Sequence, residues 1–247
     1  MTRLAKIGAG LMGEDHASIV ARNLPGARLQ VVCDMNADRA KAVATTFGAL
    51  GRALMMHNFH RNVETPAADF TGAMAIKNSA PHEFEIVRHV LNTEFTSITA
   101  QQPRRSDSRV APVVMVLETR DGQLVSIEVN NDAAYGYDVR AELVGEAGSV
   151  AMNAVVYTRT ERKLASSTRY DADWRGRYHE AYVRQNRDFL RFVESGTFPA
   201  IASCSWDGYA AAVVAEAGAK ALTMGQKQPI SMMERPAFYA GIKGVAA

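Results

Sequence analysis

The chain has 247 residues, 47% of them hydrophobic and 22% charged, with 28 basic residues nearly balancing 26 acidic ones. A core of useful size can form at that length, and so even a charge balance, with no basic arm and no clustered basic–aromatic pattern, argues against a nucleic-acid partner. No run reaches the ~18 apolar residues of a membrane helix, Gly8, Gly10 and Gly13 break the apolar start before Glu14 and Asp15, and Cys33 and Cys204 form no CxxC pair; a cytoplasmic protein without leader or membrane partner, holding two buried reduced thiols, is expected.

Residues 3–8 (RLAKIG) read as a first strand. Residues 12–23 read as a helix, with Met12, His16, Ile19, Val20 and Asn23 at helical spacing, ended by Pro25-Gly26. A second strand covers 27–34, where Leu29, Val31 and Val32 are its apolar content and Asp34 closes it, and a second helix covers 37–47, stopped by Gly48. A strand over 52–62 and a helix over 78–91 follow. From 95 to about 161 the pattern is that of strands. One hairpin turns at Asp121-Gly122, a type I′ signal, and another through Gly145–Gly148. Two helices, over 178–195 and 206–224, end the order. Strands joined by tight turns are antiparallel, whereas the opening strand–helix–strand unit must be parallel. The order divides into two domains with a boundary near 48–52.

Gly8-x-Gly10-x-x-Gly13 follows a strand and opens a helix, and Asp34 lies 21 positions after Gly13 at the end of the next strand. Gly8 permits the tight turn, Gly10 lets backbone approach a pyrophosphate, and Gly13 lets helix and strand pack closely. The helix N-terminus adds free N–H groups and partial positive charge. Asp34 can accept hydrogen bonds from ribose hydroxyls and would repel a 2′-phosphate, which favours NAD, while the nearby Arg39 keeps NADP possible.

With these residues in place the chain resembles the Gfo/Idh/MocA oxidoreductases. "IGAGLMGEDHA" is similar to that family's cofactor turn, which assigns Leu11 and Met12 to it beside the glycines. "HRN" at 60–62 with "NSAPHEFEIVRHVL" resembles its first substrate-domain strand and active-site helix. "LVGEAGSV", "RYHEAYVRQNRDFLRFVESG" and "WDGYAAAVVAEAGAKAL" resemble its sheet hairpin and C-terminal helices. The resemblance implies an α/β fold, α+β overall: a partial Rossmann βαβα unit over 1–49 and, over 50–247, a substrate and oligomerisation domain with a large open, mostly antiparallel sheet and flanking helices. It also implies a homodimer or homotetramer formed through that sheet. Inositol and sugar dehydrogenases are the nearest members in character.

Two departures stand out. The family's nucleotide domain continues with further strands and a Glu-Lys-Pro motif whose lysine is catalytic; here Gly48 runs almost directly into "LGRALMM", and no Glu-Lys-Pro occurs. The family's Asp-x-x-x-His becomes Asn78-x-x-x-His82, which keeps the geometry of one helix face but exchanges a charged partner for a neutral amide.

Hydride transfer from an alcohol requires that the hydroxyl proton be removed, and an imidazole titrates in the useful range. His82 is therefore the expected base, with Asn78 beside it. His60, Arg61 and Asn62 are expected to contact sugar hydroxyls, and Tyr178 and Tyr182, one helical turn apart, to present theirs to a polyol. His57 faces away from His60 on the strand, so the two make no metal pair, and no metal site is expected. Lys77 falls on a different helix face from Asn78 and is not assigned the absent lysine's role. The methionines, Met55 and Met56 among them, read as core. Two functions remain open: an NAD-dependent dehydrogenase of a sugar or cyclitol, or a catalytically inactive, truncated relative serving as a binding or oligomeric structural protein.

Overall fold

The structure is a computed structural model, and it describes residues 2–7, 17, 27–33, 50–63, 66–107, 109–152, 159–199 and 202–240. Strands β1 (Thr2–Ile7) and β2 (Ala27–Cys33) form a parallel two-stranded sheet in which Ile7 lies opposite Cys33. The helices expected over 12–23 and 37–47, and the cofactor residues Gly8, Gly10, Leu11, Met12, Gly13, Asp34 and Arg39, lie outside the described residues.

A second, seven-stranded sheet carries the rest. It begins with β3 (Ala53–Arg61). Two helices follow, α1 (Gly72–Asn78) and α2 (Ala80–Leu91). Next come β4 (Phe95–Gln101), β5 (Val113–Thr119), β6 (Leu124–Asn130), β7 (Asp138–Gly145) and β8 (Gly148–Ala151). A separate small hairpin joins β9 (Arg159–Arg162) to β10 (Ala165–Thr168). The chain closes with α3 (Trp174–Ser195), α4 (Ser205–Met224), β11 (Gln228–Pro229) and α5 (Ala237–Ala240). The sheet order is β11-β4-β5-β6-β3-β7-β8, antiparallel throughout except where β3 runs parallel to β6.

Alternation along the strands decides the layering. Val113, Met115 and Leu117 on β5, and Val125, Ile127 and Val129 on β6, are buried on one face beneath α1, α2 and α4. Val114, Val116 and Leu124 stand exposed on the other face. On β3 the buried face is Met56, Asn58 and His60, so the polar end of this strand lies on the same side as the core. Met55, expected in the core with Met56, is half-buried on the opposite face. Cys204, expected as a buried thiol, is free and half-buried just before α4. Close approach of α4 to the sheet needs Gly218: a Cβ there would sit 3.0 Å from Ile98 Cδ1 and 3.1 Å from Ile76 Cγ2.

Two expectations about local structure change. The segment 78–91 is divided: α1 ends at Asn78, Ser79 caps it by donating its N–H to the Ala75 carbonyl, and α2 starts at Ala80. Pro81 is the cause, since it has no N–H to continue the ladder and belongs in a first turn. The Asp121-Gly122 hairpin is not a type I′ turn. Only Gly122 has positive φ, at +80°, and its N–H bonds the Thr119 carbonyl while Thr119 N–H bonds the Gln123 carbonyl, which makes a three-residue loop with a glycine bulge. Consecutive residues with positive φ occur instead at Lys163 and Leu164, 51° and 61°, between β9 and β10.

α2 is fixed from its hidden side. Phe84 and Val87 are fully buried in the core, and Arg88, also 0% exposed, holds Glu94 through two bonds of 2.6 Å and reaches Asp207 of α4 at 3.4 Å. Asp207 in turn accepts from the Cys204 N–H at 2.8 Å, which closes the start of α4. Removing the guanidinium would strand two carboxylates in the interior. Arg88→Met is expected to destabilise the protein by about 3–5 kcal/mol, read as a lower urea midpoint at unchanged slope. A loss under about 1 kcal/mol would show that both carboxylates regain water or other partners.

Candidate active site

A cavity of about 630 Å³ opens where the carboxyl end of β3, the break between α1 and α2, and the start of α3 converge. β3 contributes Asn58 and His60, and Asn62 follows just beyond it; the helix break contributes Asn78, Ser79, His82 and Glu83; α3 contributes Trp174, Tyr178 and Tyr182 at successive turns. Tyr137, Met152, Ile86 and the β7 residues Val139, Arg140 and Ala141 complete the wall. Of the residues expected here, Asn78, His82, His60, Asn62, Tyr178 and Tyr182 are brought together. The interruption at Ser79 leaves Asn78 and His82 on the same cavity although they belong to different helices.

Arg61 is not brought to this cavity. Strand alternation turns it to the opposite face, where it donates to Glu128 at 2.6 and 2.7 Å and to the Tyr135 hydroxyl at 2.9 Å, with its guanidinium over the Phe59 ring at 4.6 Å. The Glu128 hydrogen bond holds its pKa above the ordinary arginine value. His57 is on that face too, hydrogen-bonded through Nδ1 to Ser126 Oγ at 2.7 Å. Lys77 points elsewhere again, into an ion pair with Glu216 of α4 at 2.5 Å.

Glu83, Asn58 and Tyr137 were not expected. Glu83 lies in the first turn of α2 and is 4% exposed. Its carboxylate accepts from Asn58 Nδ2 at 2.7 Å and contacts His60 Nδ1 at 3.0 Å. Tyr137 packs edge-on against Tyr178, with ring centroids 6.2 Å apart. Burial raises the pKa of both phenols, which keeps them protonated. Asn58 was legible as the third member of an alternate series with His60 and Asn62. Glu83 carries no such signal, because a glutamate in a charged helix reads as solvent-facing.

The electrostatics favour a neutral imidazole at His82. Its ring stacks on His60, centroids 6.0 Å apart and 9° from parallel. Burial, and then electrostatic repulsion from the His60 ring, lower its pKa; Glu83 opposes them. A neutral ring can accept a proton and retain it only briefly, which suits a general base. The Oδ1 atoms of Asn58 and Asn62 are buried without a hydrogen-bond partner among the described residues. Buried amide oxygens in that state lack a partner, which a ligand hydroxyl is chemically able to supply. A wall of this kind has the chemistry to take hydroxyl hydrogens, and a neutral imidazole beside it has the chemistry to accept a proton.

Because the unfolded chain binds the His82 proton more readily than the folded chain, stability is expected to fall as the pH drops below 6.5 towards the lowered value. Titration of the His82 ring by NMR is expected to give a midpoint below 6.5; a midpoint at or above it would mean that Glu83, not burial, governs the ring.

Residues 39–151 match the GFO/IDH/MocA C-terminal domain. The chain is 36% identical over 201 residues to inositol 2-dehydrogenase 2 of Saccharopolyspora erythraea, aligned over 78% of this chain and 57% of that protein. It is 35% identical over 198 residues to inositol 2-dehydrogenase of Pseudomonas savastanoi pv. phaseolicola, with the same coverage. The chain thus spans a little over half the length of these curated relatives. Its fold matches the crystal structure of myo-inositol dehydrogenase from Lactobacillus casei in complex with NAD(H) and myo-inositol, with a TM-score of 0.70 at 20% identity, over 97% of this chain and 99% of that one. On sequence and fold together, the chain belongs to the Gfo/Idh/MocA family, among proteins similar to inositol 2-dehydrogenases.

Proposed function

We propose that the cavity is a polyol pocket and that the chain carries the substrate-binding part of an NAD-dependent oxidoreductase acting at a hydroxyl carbon of a cyclitol or sugar. The observation that carries this reading is the wall itself: a neutral-leaning imidazole, His82, faces a cavity with two unpartnered amide oxygens and protonated phenols. Its kinship with inositol dehydrogenases supports the choice of substrate class. In this reading His82 takes the proton of the reacting hydroxyl. Asn78 hydrogen-bonds that hydroxyl or its neighbour, His60 and Asn62 hold others, and Tyr178 and Tyr182 close the side formed by α3. Residues 50–247 form the substrate domain and residues 1–49 part of a nucleotide domain, in a cytoplasmic protein.

The described strands fit a dinucleotide at the level of topology. β1 and β2 are parallel neighbours, and Ile7 and Cys33 are register partners at their carboxyl ends. Gly8 and Asp34 follow these two residues in sequence, and the carboxyl edge of such a sheet is where dinucleotides bind. NAD, with NADP second, supplies the hydride acceptor. The protein's own part is to orient the polyol and hold the proton at His82.

A second reading rests on a specific observation: no lysine lines the cavity among the described residues, and Lys77 is committed to Glu216. A protein without that lysine binds polyol and does not turn it over. Calorimetry with myo-inositol and an assay for NADH separate the two. The 247-residue chain is expected to bind the polyol without forming NADH; no binding at millimolar myo-inositol would remove the polyol reading, and NADH formation at the rate of an intact relative would remove the need for the lysine. In a form given a nucleotide-domain segment with Glu-Lys-Pro, His82→Ala is expected to lower kcat by about 10²–10⁴.

We also assign the uncovered sheet face to a second copy of the chain. Val114, Val116 and Leu124 are 45%, 42% and 40% exposed there, more apolar surface than alternation leaves on a solvated face. Light scattering at micromolar concentration is expected to give a dimer or tetramer, and a monomer would remove this assignment.

A further inference from the structure

Three alternate residues, Asn58, His60 and Asn62, line the cavity from the β3 side. Each could in principle donate or accept, since an amide does both and a neutral imidazole has one nitrogen of each kind. Which they present to a ligand depends on what lies behind them. Behind two of them is one carboxylate. Glu83 Oε2 takes the Nδ2 hydrogen of Asn58 at 2.7 Å, and Oε1 lies 3.0 Å from His60 Nδ1. A carboxylate can only accept. It therefore requires that the Asn58 amide be turned with Nδ2 inward and that His60 carry its hydrogen on Nδ1. The first turn of a twelve-residue helix, where partial positive charge favours an anion, suits Glu83 in the ionised form.

We propose that Glu83 is a positioning residue that sets the hydrogen-bond polarity of the β3 wall, turning His60 Nε2 and Asn58 Oδ1 into acceptors for hydroxyl hydrogens donated by the ligand. Asn62 Oδ1 extends the series, and the unpartnered state of both amide oxygens is what such a wall leaves behind. The consequence for selection is chemical. A wall of acceptors holds a ligand by the hydrogens that the ligand gives, so a polyhydroxylated ring is retained. Carbonyl or ether oxygens placed there would meet lone pairs with lone pairs. The proposal rests on the polyol reading for its ligand but not for its geometry. The His82 base is a separate group, which Glu83 reaches by its charge and through the His60 ring stacked against it.

Histidine-selective ¹⁵N NMR of the unmodified chain near neutral pH tests the geometry without ligand, with the His60 signals assigned by their loss in His60→Gln. The expected spectrum has a protonated, pyrrole-like Nδ1 and an unprotonated, pyridine-like Nε2. The opposite tautomer, or a ring protonated at both nitrogens, overturns the proposal. Glu83→Gln places an amide behind the wall and ends its single polarity. In that variant the His60 tautomer is expected to become mixed, and myo-inositol affinity to fall about tenfold or more. A folded Glu83→Gln protein with unchanged tautomer and unchanged affinity overturns the proposal. Should this variant not fold, the spectrum of the unmodified chain decides. The two readings fail separately: the expected tautomer without inositol binding removes the polyol assignment alone, whereas inositol binding with the opposite tautomer removes the role of Glu83 alone.

Discussion

Seating α2 on the sheet takes a glutamate and an arginine out of water, and most of the architecture follows from how they are answered. Phe84 and Val87 supply the apolar contact that draws the helix down. Glu83 and Arg88 flank them and go down with it. An unanswered buried charge would cost more than either apolar residue returns. The answers come from different elements: β3 for Glu83, and Glu94 with α4 for Arg88. One helix is thereby locked to the sheet at one end and to its neighbouring helix at the other. Rotation of α2 about its axis would break both sets at once, and His82, one residue from Glu83, is held with it.

The same arrangement explains why the cavity can be polar in a region continuous with the core. Met56, Asn58 and His60 follow each other on one face of β3. The first packs with the apolar cluster and the other two do not. The transition is possible because the polar side chains bring their own partner in Glu83. The aromatic side of the cavity is built differently. Trp174, Tyr178 and Tyr182 come from a helix with no buried residue of its own, so their placement depends on ring contacts with Tyr137 and with one another.

Much of this was readable beforehand, and what was not has physical causes. Alternation in β5 and β6 marks the buried and open faces, and the glycine and aspartate positions mark the hairpins. Alternation also separates His57 from His60. Applied one residue further it separates Arg61 from His60 and Asn62, which is why Arg61 pairs with Glu128 on the far face. Asn58 has the right parity but belongs to a residue type that strands often expose. Glu83 and Arg88 are invisible to hydrophobic periodicity, since their burial is decided by partners far away in sequence. The helix boundary at Ser79 was signalled by Pro81, but the i, i+4 spacing of Asn78 and His82 hid it. The hairpin at Asp121-Gly122 shows that a sequence favourable to one turn can close another when only the glycine adopts positive φ.

At one margin of the large sheet lies β11, two residues long and ending in Pro229, paired with Ser97 and Ile98 of β4. Proline has no N–H to offer a further strand, and so short a strand gives an incoming chain little to align with. At the other margin β8 is four residues long. Both borders thus end in short strands, while one broad surface keeps exposed apolar side chains among the described residues. Whatever this surface meets must approach it flat, stacking side chain against side chain across two layers, rather than by threading a strand into the ladder. A protein so finished can meet a partner across this face while offering little of the ribbon-to-ribbon pairing by which misassembled sheets spread.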